Sequence, residues 1–468
     1  MQPKTSKNTT VSFQPEHAFS WSVVILLCLI PLIFWVQLHP LGEIRGFTPI
    51  MLAIGKVAGL VGTVLYALSL VLSTRLKFLE SSFGGLNRVY VAHHIIGGLS
   101  LVLLTFHPLF LALRYVNYNV REAALVLIPN GLSPIGALFD AKHVVHEDVL
   151  QQWAILFGSI AFWGMVVLLL ITLFIKIPYR LWLLTHKFLG VAFLISGLHI
   201  FFIQSDTSTM GALKIYMLSI IAIGLIAYIY KTLLGSIIIR QYSYVIASTK
   251  IVGGSSLQIN MYALKQLMPF KAGQFVFARF RSHAKTINRE WHPFTISSSP
   301  HEDSLELTIK ALGDHTANLT QLAPGDMVDI EGAYGKFGYT SDYQRPQIWI
   351  GAGIGITPFI AMLKDLPESG AVVDLYYCVK TVHEIVDWEK LNQHADARSP
   401  GIRIIPFVSS MQHRHIDIDY IRTISGHLKE REVYICGPPK MMTELKQGFR
   451  QHGVPAVRIH TEEFGMAE

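Results

Sequence analysis

The chain reads as a multi-domain membrane protein: a six-helix transmembrane bundle, then an antiparallel β-barrel, then an α/β doubly wound domain. Three observations predict this. Up to about residue 240 the sequence is a succession of apolar runs long enough to cross a bilayer, separated by short polar joins. From Arg240 to about Arg345 it changes to short alternating runs such as SLQINMYAL, FVFARF and SLELTIKAL, which read as antiparallel strands. Beyond Arg345, strand-like runs (IWIGAGIG, VVDLYYCV, IRIIPFVSS, REVYICGPP) alternate with helical stretches, as a parallel sheet with crossover helices requires. The boundaries are set at 1–238, 239–342 and 343–468.

The totals agree with a split molecule. Of 468 residues, 51% are hydrophobic and 15% charged, with a mean hydropathy of +0.40. A net charge of +7 raises nucleic acid as a partner. The Lys and Arg residues instead cluster at the ends of the apolar runs, where topology signals belong, so a nucleic-acid surface is excluded. Cys28, Cys378 and Cys436 form neither a disulfide framework nor a zinc site, which fits a reducing compartment for the soluble half. The first run, Phe19–Leu38, is longer than a signal-peptide core and shows no small-residue cleavage site, so it is read as a retained helix.

Six spans are marked by length and apolar content: Phe19–Leu38, Ile50–Leu72, Val89–Leu113, Leu150–Ile175, Trp182–Phe202 and Leu213–Leu234. Lys4, Lys7, Arg75, Lys77, Arg88, Lys176, Arg180, Lys187, Lys231 and Arg240 then fall on one face. The positive-inside rule makes that face cytoplasmic, with both termini and the soluble half inside, and the protein multi-pass in the plasma membrane. The segment from about Tyr115 to Val149 lies outside and is expected to fold back as a cap; its His143 and His146 read as solvated.

Within the third span, RVYVAHHIIGGLSLVLLTFHPLFLALR carries His93 and His107, fourteen residues apart. That separation is about 21 Å along a helix, so one ring sits in each leaflet of a hydrocarbon core about 30 Å thick. Fourteen residues is two heptads, which keeps both rings on one face. The fifth span repeats the pattern with His186 and His199, thirteen apart. Polar groups at that depth are costly and functional by default. Both spans run the same way, so the four histidines form two levels, His93 with His186 and His107 with His199. Two histidines on facing helices at one depth can clamp a haem iron from both sides, which predicts two haems. His93 is preferred to His94 because only the fourteen-residue spacing keeps the pair aligned. The thirteen-residue gap turns a side chain about 140° on an ideal helix, so a kink or π-bulge is expected in the fifth span, at Gly190 or Gly197.

In the soluble half, Gly351-Ala-Gly353-Ile-Gly355-Ile-Thr357-Pro358 follows an apolar strand and opens a helix. Glycines there let backbone approach a pyrophosphate whose charge faces the helix N-terminus. His292-Pro293-Phe294-Thr295 ends a strand of the barrel, and Gly313-Asp-His315-Thr316 reads as a loop feeding a helix, a second possible phosphate site.

Taken together, the two histidine pairs, HPFT at 292–295, GAGIGITP at 351–358, CGPP at 436–439 and the near-terminal Phe464 resemble the ferric reductase and NADPH oxidase superfamily over nearly the whole chain. The resemblance implies two b-type haems in the membrane half, held by His93, His107, His186 and His199. It implies a cytoplasmic half similar to ferredoxin–NADP⁺ reductases. Pro293, Phe294 and Thr295 would line the flavin ring of FAD, with His292, Lys310 and the Gly313, His315, Thr316 loop near the rest. Gly351, Gly353, Gly355, Thr357 and Pro358 would hold the phosphates of NAD(P)H, and Cys436, Gly437 and Pro438 would border its nicotinamide. Phe464 would stack on the flavin; Thr295, Phe464 and Cys436 are the residues implied nearest the hydride. Lys380 stands where relatives often carry a phosphate-binding Arg, so NADPH is preferred over NADH only weakly. No EF-hand pattern is present.

The function implied is a transmembrane oxidoreductase. Electrons pass from cytoplasmic NAD(P)H through FAD and the two haems to an outer acceptor, either dioxygen or a ferric chelate. Membrane lipid is the expected surrounding; no protein partner is indicated. The competing readings are a non-enzymatic haem sensor, against which the HPFT–GAGIGITP–CGPP series speaks, and a quinone-linked cytochrome b, for which no quinone pocket is identifiable.

Overall fold

The computed structural model describes residues 18–128, 147–175, 177–339, 345–367, 370–398 and 400–462. They fall into two compact units, Met1–Ile238 and Ile239–Glu468. The first is helical: α1 (Ala18–Leu38), α2 (Phe47–Leu72), α3 (Lys77–Phe83), α4 (Leu86–Leu113), α5 (Val120–Leu127), α6 (Glu147–Phe174), α7 (Tyr179–Phe202), α8 (Asp206–Thr209), α9 (Gly211–Tyr228) and α10 (Gly235–Ile238). Six of these, α1, α2, α4, α6, α7 and α9 (the last carried on to Leu233), give stretches of 20 to 28 residues long and apolar enough to cross a membrane. Helices α2 and α4 begin three residues before the expected points. Gly46 (φ 86°) and Gly85 (φ 132°) turn the chain into them in conformations that a side chain would resist.

Helix α2 packs along α4, α6 along α7, and α9 against α2 and α7; the backbones of α4 and α7 approach one another little. Small residues make the close contacts, as they must where lipid gives no hydrophobic drive between helices. A Cβ on Gly62 would stand 2.9 Å from Leu104, and one on Gly224 2.8 Å from Phe193. Val64, Phe193, Leu213 and Met217 are fully buried at the centre, while Ile25, Leu26, Val91, Val102, Ile223 and Ile226 face outward, as lipid-contacting residues would.

The expected distortion of the fifth span is not found: α7 is one uninterrupted α-helix. Its glycines serve packing instead. A Cβ on Gly190 would come within 2.1 Å of the Tyr228 ring, and one on Gly197 within 2.9 Å of Ile221. The π-helical turn lies at Ile229–Leu233, directly after α9. The expected cap over the outer face is described only as far as α5; His143, His146, Lys4, Lys7 and Lys176 lie outside the described residues.

The second unit opens with β1 (Gln241–Val252), β2 (Ser256–Ala263), β3 (Phe275–Arg281), β4 (His292–Thr295), β5 (Ser304–Lys310), α11 (Asp314–Asn318) and β6 (Met327–Tyr334). These strands form one sheet in the order β4-β3-β6-β1-β2-β5, antiparallel at every pairing. A bridge from Ile296 to Leu307 joins the two outermost strands. The sheet therefore curls closed, which removes the exposed edges that invite aggregation. Tyr244, Ile259, Met261, Val276, Phe280, Leu307, Val328 and Ile330 fill its interior.

The rest of the unit is β7 (Gln347–Ala352), α12 (Thr357–Asp365), β8 (Val373–Val379), α13 (Trp388–Asp396), β9 (Ile402–Val408), α14 (Ser409–Gln412), α15 (Ile418–Ser425), β10 (Glu432–Cys436), α16 (Pro439–Gln451) and β11 (Ile459–Glu462). Its sheet is parallel throughout, in the order β11-β10-β7-β8-β9. Both faces are covered, so β8 is buried at every residue. Asp374 sits in that strand. Its carboxylate accepts from Arg403 Nε at 2.7 Å, Arg431 at 2.9 Å and the Ser425 hydroxyl at 2.7 Å. Its side chain is 3% exposed, against 14% for Arg431.

Removing one member of such a buried network leaves an uncompensated charge. Asp374→Ala is expected to destabilise this unit by about 3–5 kcal/mol. Arg414→Ala, which breaks the exposed pair with Asp417, is expected to cost about 0–1 kcal/mol. Thermal or denaturant unfolding of the two purified variants checks the contrast.

Candidate cofactor-binding sites

Three of the four intramembrane histidines are positioned by carbonyls of neighbouring helices. His107 Nδ1 donates to Gly55 O of α2 at 2.7 Å, and His199 Nδ1 to Ala154 O of α6 at 2.8 Å. His93 Nδ1 donates to Ser69 O of α2 at 2.9 Å, with Ser69 Oγ at 3.2 Å. A carbonyl only accepts, so the ring proton sits on Nδ1 and Nε2 keeps its lone pair, the form that ligates a metal. Two glycines make these approaches possible. A Cβ at Gly59 would stand 2.6 Å from His107 Nδ1, and one at Gly158 2.8 Å from His199 Nδ1. Ser69, Gly59 and Gly158 were not anticipated. Their signal is a small residue on a helix facing each histidine, which shows only once the helix pairing is known.

His186 completes the set differently. Its ring stacks on Trp182 with centroids 5.1 Å apart, and its buried Nδ1 has no hydrogen-bond partner. It faces His93 across the gap between α4 and α7, with ring centroids 6.2 Å apart. Two imidazoles bound on opposite sides of one metal ion, with bonds of about 2 Å, have centroids roughly 6 Å apart. The spacing and the gap between the two helices both fit a flat metal-bearing macrocycle. His94 lies beside His93 at 5.5 Å but is exposed.

In the barrel, β4 carries HPFT paired to β3, with Thr295 opposite Phe275 and Pro293 opposite Phe277. Thr295 is buried; His292, Pro293 and Phe294 are half-buried. Helix α11 brings His315 onto His292, the rings stacked at 3.7 Å and 19°. Both nitrogens of His315 and Nε2 of His292 are buried without hydrogen-bond partners; Glu290 stands 3.7 Å from the latter. Buried polar atoms without partners are the mark of a missing ligand, so this corner fits a group rich in acceptors such as a flavin dinucleotide. Thr316 Oγ1 instead caps its own loop, accepting from Leu312 N at 2.9 Å and Gly313 N at 3.1 Å. Lys310, expected at the cofactor, donates from its ammonium to Glu384 at 3.2 Å, tying β5 to the segment after β8.

At the end of β7, Gly351–Pro358 makes the expected strand-to-helix turn, through a 3₁₀ turn at Gly353–Ile356. Gly353 takes φ +56°, and a Cβ on Gly355 would lie 2.4 Å from Cys436 O. The turn therefore seats directly on the end of β10. Thr357 Oγ1 donates to Ile354 O at 2.9 Å, and Pro358 stands in the first turn of α12. A Cβ on Gly437 would meet Ala352 at 2.7 Å. Lys380 is exposed just past β8. Cys436 was expected nearest the hydride. Its side chain is fully buried in the core with Trp349, Phe359 and Tyr434. Burial, with the Glu462 carboxylate adding to it, pushes its thiol well above the ordinary range. It is a packing group, and only its backbone borders the turn. Phe464 lies outside the described residues.

Burial, reinforced by His292, lowers the His315 imidazole from 6.5 to about 4, although Glu290 opposes the shift. The unfolded chain therefore binds more protons than the folded one between those values, and stability is lost as pH falls through that window. Thermal unfolding without added flavin is expected to shift to lower temperature from pH 6.5 to pH 4, and less so in His315→Gln. Equal shifts in both proteins would contradict this assignment.

The family described as "ferric reductase like transmembrane component" matches residues 58–197, "FAD-binding domain" residues 241–335 and "oxidoreductase NAD-binding domain" residues 349–447. The chain is 29% identical over 220 residues to the toluate 1,2-dioxygenase electron transfer component of Pseudomonas putida, covering 45% of this chain and 62% of that one. It is 26% identical over 235 residues to a flavohemoprotein of Halalkalibacterium halodurans, covering 43% and 54%. It is 32% identical over 123 residues to NADPH oxidase 1 of Mus musculus, covering 25% and 20%. The match thus spans from a fifth to three-fifths of these relatives. The chain thus carries a ferric-reductase-like transmembrane component followed by FAD-binding and NAD-binding domains, and it is similar in part to NADPH oxidase 1.

Proposed function

We propose that the chain is a transmembrane oxidoreductase that carries electrons from cytoplasmic NAD(P)H to an acceptor on the far side of the plasma membrane. Its termini and soluble half face the cytoplasm, with domains bounded at 1–238, 239–342 and 343–468. The observation that carries this reading is the histidine set: His93 and His186 ring to ring at 6.2 Å, and His107 and His199 each held by a carbonyl of a neighbouring helix. When bound, NAD(P)H, FAD and two b-type haems supply the conversion of a hydride into single electrons and their passage through the bilayer.

The chain's own residues do the rest. His93 with His186, and His107 with His199, would hold the two haems through their Nε2 atoms. Hydrogen bonds from Nδ1 to Ser69, Gly55 and Ala154 hold three rings in the ligating tautomer and raise their basicity. With two histidines to each haem, an acceptor would take its electron at the edge of the group. Pro293, Phe294 and Thr295 line the flavin ring, and His292 and His315 donate to the acceptor atoms beyond it. The Gly351–Pro358 turn gives backbone N–H groups and a helix N-terminus to the nicotinamide cofactor's phosphates. Lys380 supplies a point charge for a 2′-phosphate, a weak preference for NADPH. Gly437 leaves room for the nicotinamide, and Phe464 covers the flavin when nicotinamide is absent.

Two acceptors suit an edge transfer, dioxygen and ferric iron. NAD(P)H consumption with oxygen or a ferric chelate, with and without superoxide dismutase, separates them. His107→Leu is expected to remove about half the haem and to stop acceptor reduction while NAD(P)H still bleaches the flavin. Undiminished acceptor reduction by this variant would overturn the ligand assignment.

A further inference from the structure

The segment that follows β8 carries more charge than the proposed function uses. In an open parallel sheet a dinucleotide lies across the carboxyl ends of the strands, and the strand beside the glycine turn receives its adenosine ribose. Here that strand is β8, which pairs with β7 and ends at Val379. Lys380 and His383 come next and are exposed; Glu384, which closes a 3₁₀ turn, and Asp387 are half-buried. A carboxylate at this place suits a ribose 2′-hydroxyl, to which it is an acceptor, and repels a 2′-phosphate. Where the two carboxylates are held therefore bears on which nucleotide binds.

The barrel holds both. Lys310 Nζ, at the end of β5, donates to Glu384 Oε2 at 3.2 Å, with the two side chains 25% and 27% exposed. Gln258 Nε2 of β2 donates to Asp387 Oδ2 at 2.9 Å, and Lys250 Nζ of β1 to Asp387 Oδ1 at 3.4 Å. The backbone between them is seated as firmly. Gly253 and Gly254 turn β1 into β2 at φ +53° and +72°; a Cβ on the first would lie 2.8 Å from Glu384 O and one on the second 3.2 Å from His383 O. The Tyr377 hydroxyl of β8 donates to Glu384 O at 3.4 Å and accepts from Val386 N at 3.0 Å. Asp387 keeps its place through two barrel side chains, whereas Lys310 is the one side-chain partner of the Glu384 carboxylate among the described residues. Lys380 is exposed, and no carboxylate among the described residues pairs with it.

We infer that Lys310 is a specificity-determining residue for the nucleotide and acts through Glu384. By tying that carboxylate to the barrel it leaves Lys380 as the uncompensated charge beyond β8, and so selects a dinucleotide that carries a 2′-phosphate. This rests on the nicotinamide-binding role proposed above and deepens it: the choice of nucleotide comes from an ion pair between barrel and sheet, with Lys380 supplying only the contact. Without Lys310, the charge of Glu384 offsets that of Lys380, four residues away in the chain, and repels the phosphate. A 2′-hydroxyl carries no charge and does not register the change. Lys310 is a positioning residue here; it sets where Glu384 stands without touching the 2′ group.

The test uses the full-length protein in detergent with FAD in excess. Binding of NADP⁺ and of NAD⁺ is measured by titration calorimetry for wild type, Lys310→Met, Glu384→Gln and the double variant. Wild type is expected to bind NADP⁺ the more tightly. Lys310→Met is expected to lose about tenfold in affinity for NADP⁺ and to stay within about twofold for NAD⁺. Glu384→Gln is expected to keep the wild-type selectivity, and the double variant to recover it. That recovery separates a charge effect from a broken brace, because the double variant has no ion pair either. An unchanged affinity ratio in Lys310→Met, equal losses for both nucleotides, or a double variant as weak for NADP⁺ as the single one would overturn the inference. So would a wild type that binds NAD⁺ as tightly as NADP⁺. In each of these cases, flavin bleaching by either reduced nucleotide under argon leaves the nicotinamide-binding role standing and removes the inference alone. A wild type whose flavin neither NADPH nor NADH bleaches would overturn that role and the inference with it.

Discussion

A polar side chain inside a bilayer has no water to satisfy it, so each must find a partner within the bundle. The helical unit is arranged around that constraint. Three of the four buried histidines donate Nδ1–H to a carbonyl one helix away, and glycines stand where the rings approach. These bonds do two things at once. They remove the desolvation penalty of a buried N–H, and they point the remaining lone pair away from the partner helix. The packing follows: α2 must lie against α4, and α6 against α7, for the carbonyls to be within reach. What remains between α4 and α7 is a gap bridged by His93 and His186.

The soluble unit answers a different problem, how to bring two binding turns to one place. In the parallel sheet, the ends of β7 and β10 lie side by side, and glycines at 351, 355 and 437 remove the side chains that would keep them apart. Barrel and sheet are also tied by ions. Lys310 meets Glu384 at 3.2 Å, and Lys364 reaches Glu306 at 3.4 Å. Lys310 therefore braces the two halves of the unit.

Much of this was legible in the sequence because it is periodic. The spans follow from run length, and the barrel and sheet from alternation. The histidine levels follow from a fourteen-residue interval on a rigid rod. What was not legible depended on partners far along the chain. The thirteen-residue interval in the fifth span suggested a distorted helix, yet α7 is regular. Gly190 and Gly197, read as places to bend, are where Tyr228 and Ile221 press against it. Cys436 was placed near the hydride by its CGPP motif; only the folded chain reveals that its side chain is buried in the core. Lys56 of α2 donates to Asp206 of α8 at 2.6 Å across 150 residues of sequence, and nothing local to either residue announces the other.

The central claim is that the paired histidines and the flavin half form one electron path. The most direct measurement is the absorption spectrum of the purified protein, reconstituted with haem and FAD, after NADPH is added under argon. The account predicts that the haem Soret and α bands shift to the reduced form. Bands that stay oxidised while the flavin bleaches would contradict it.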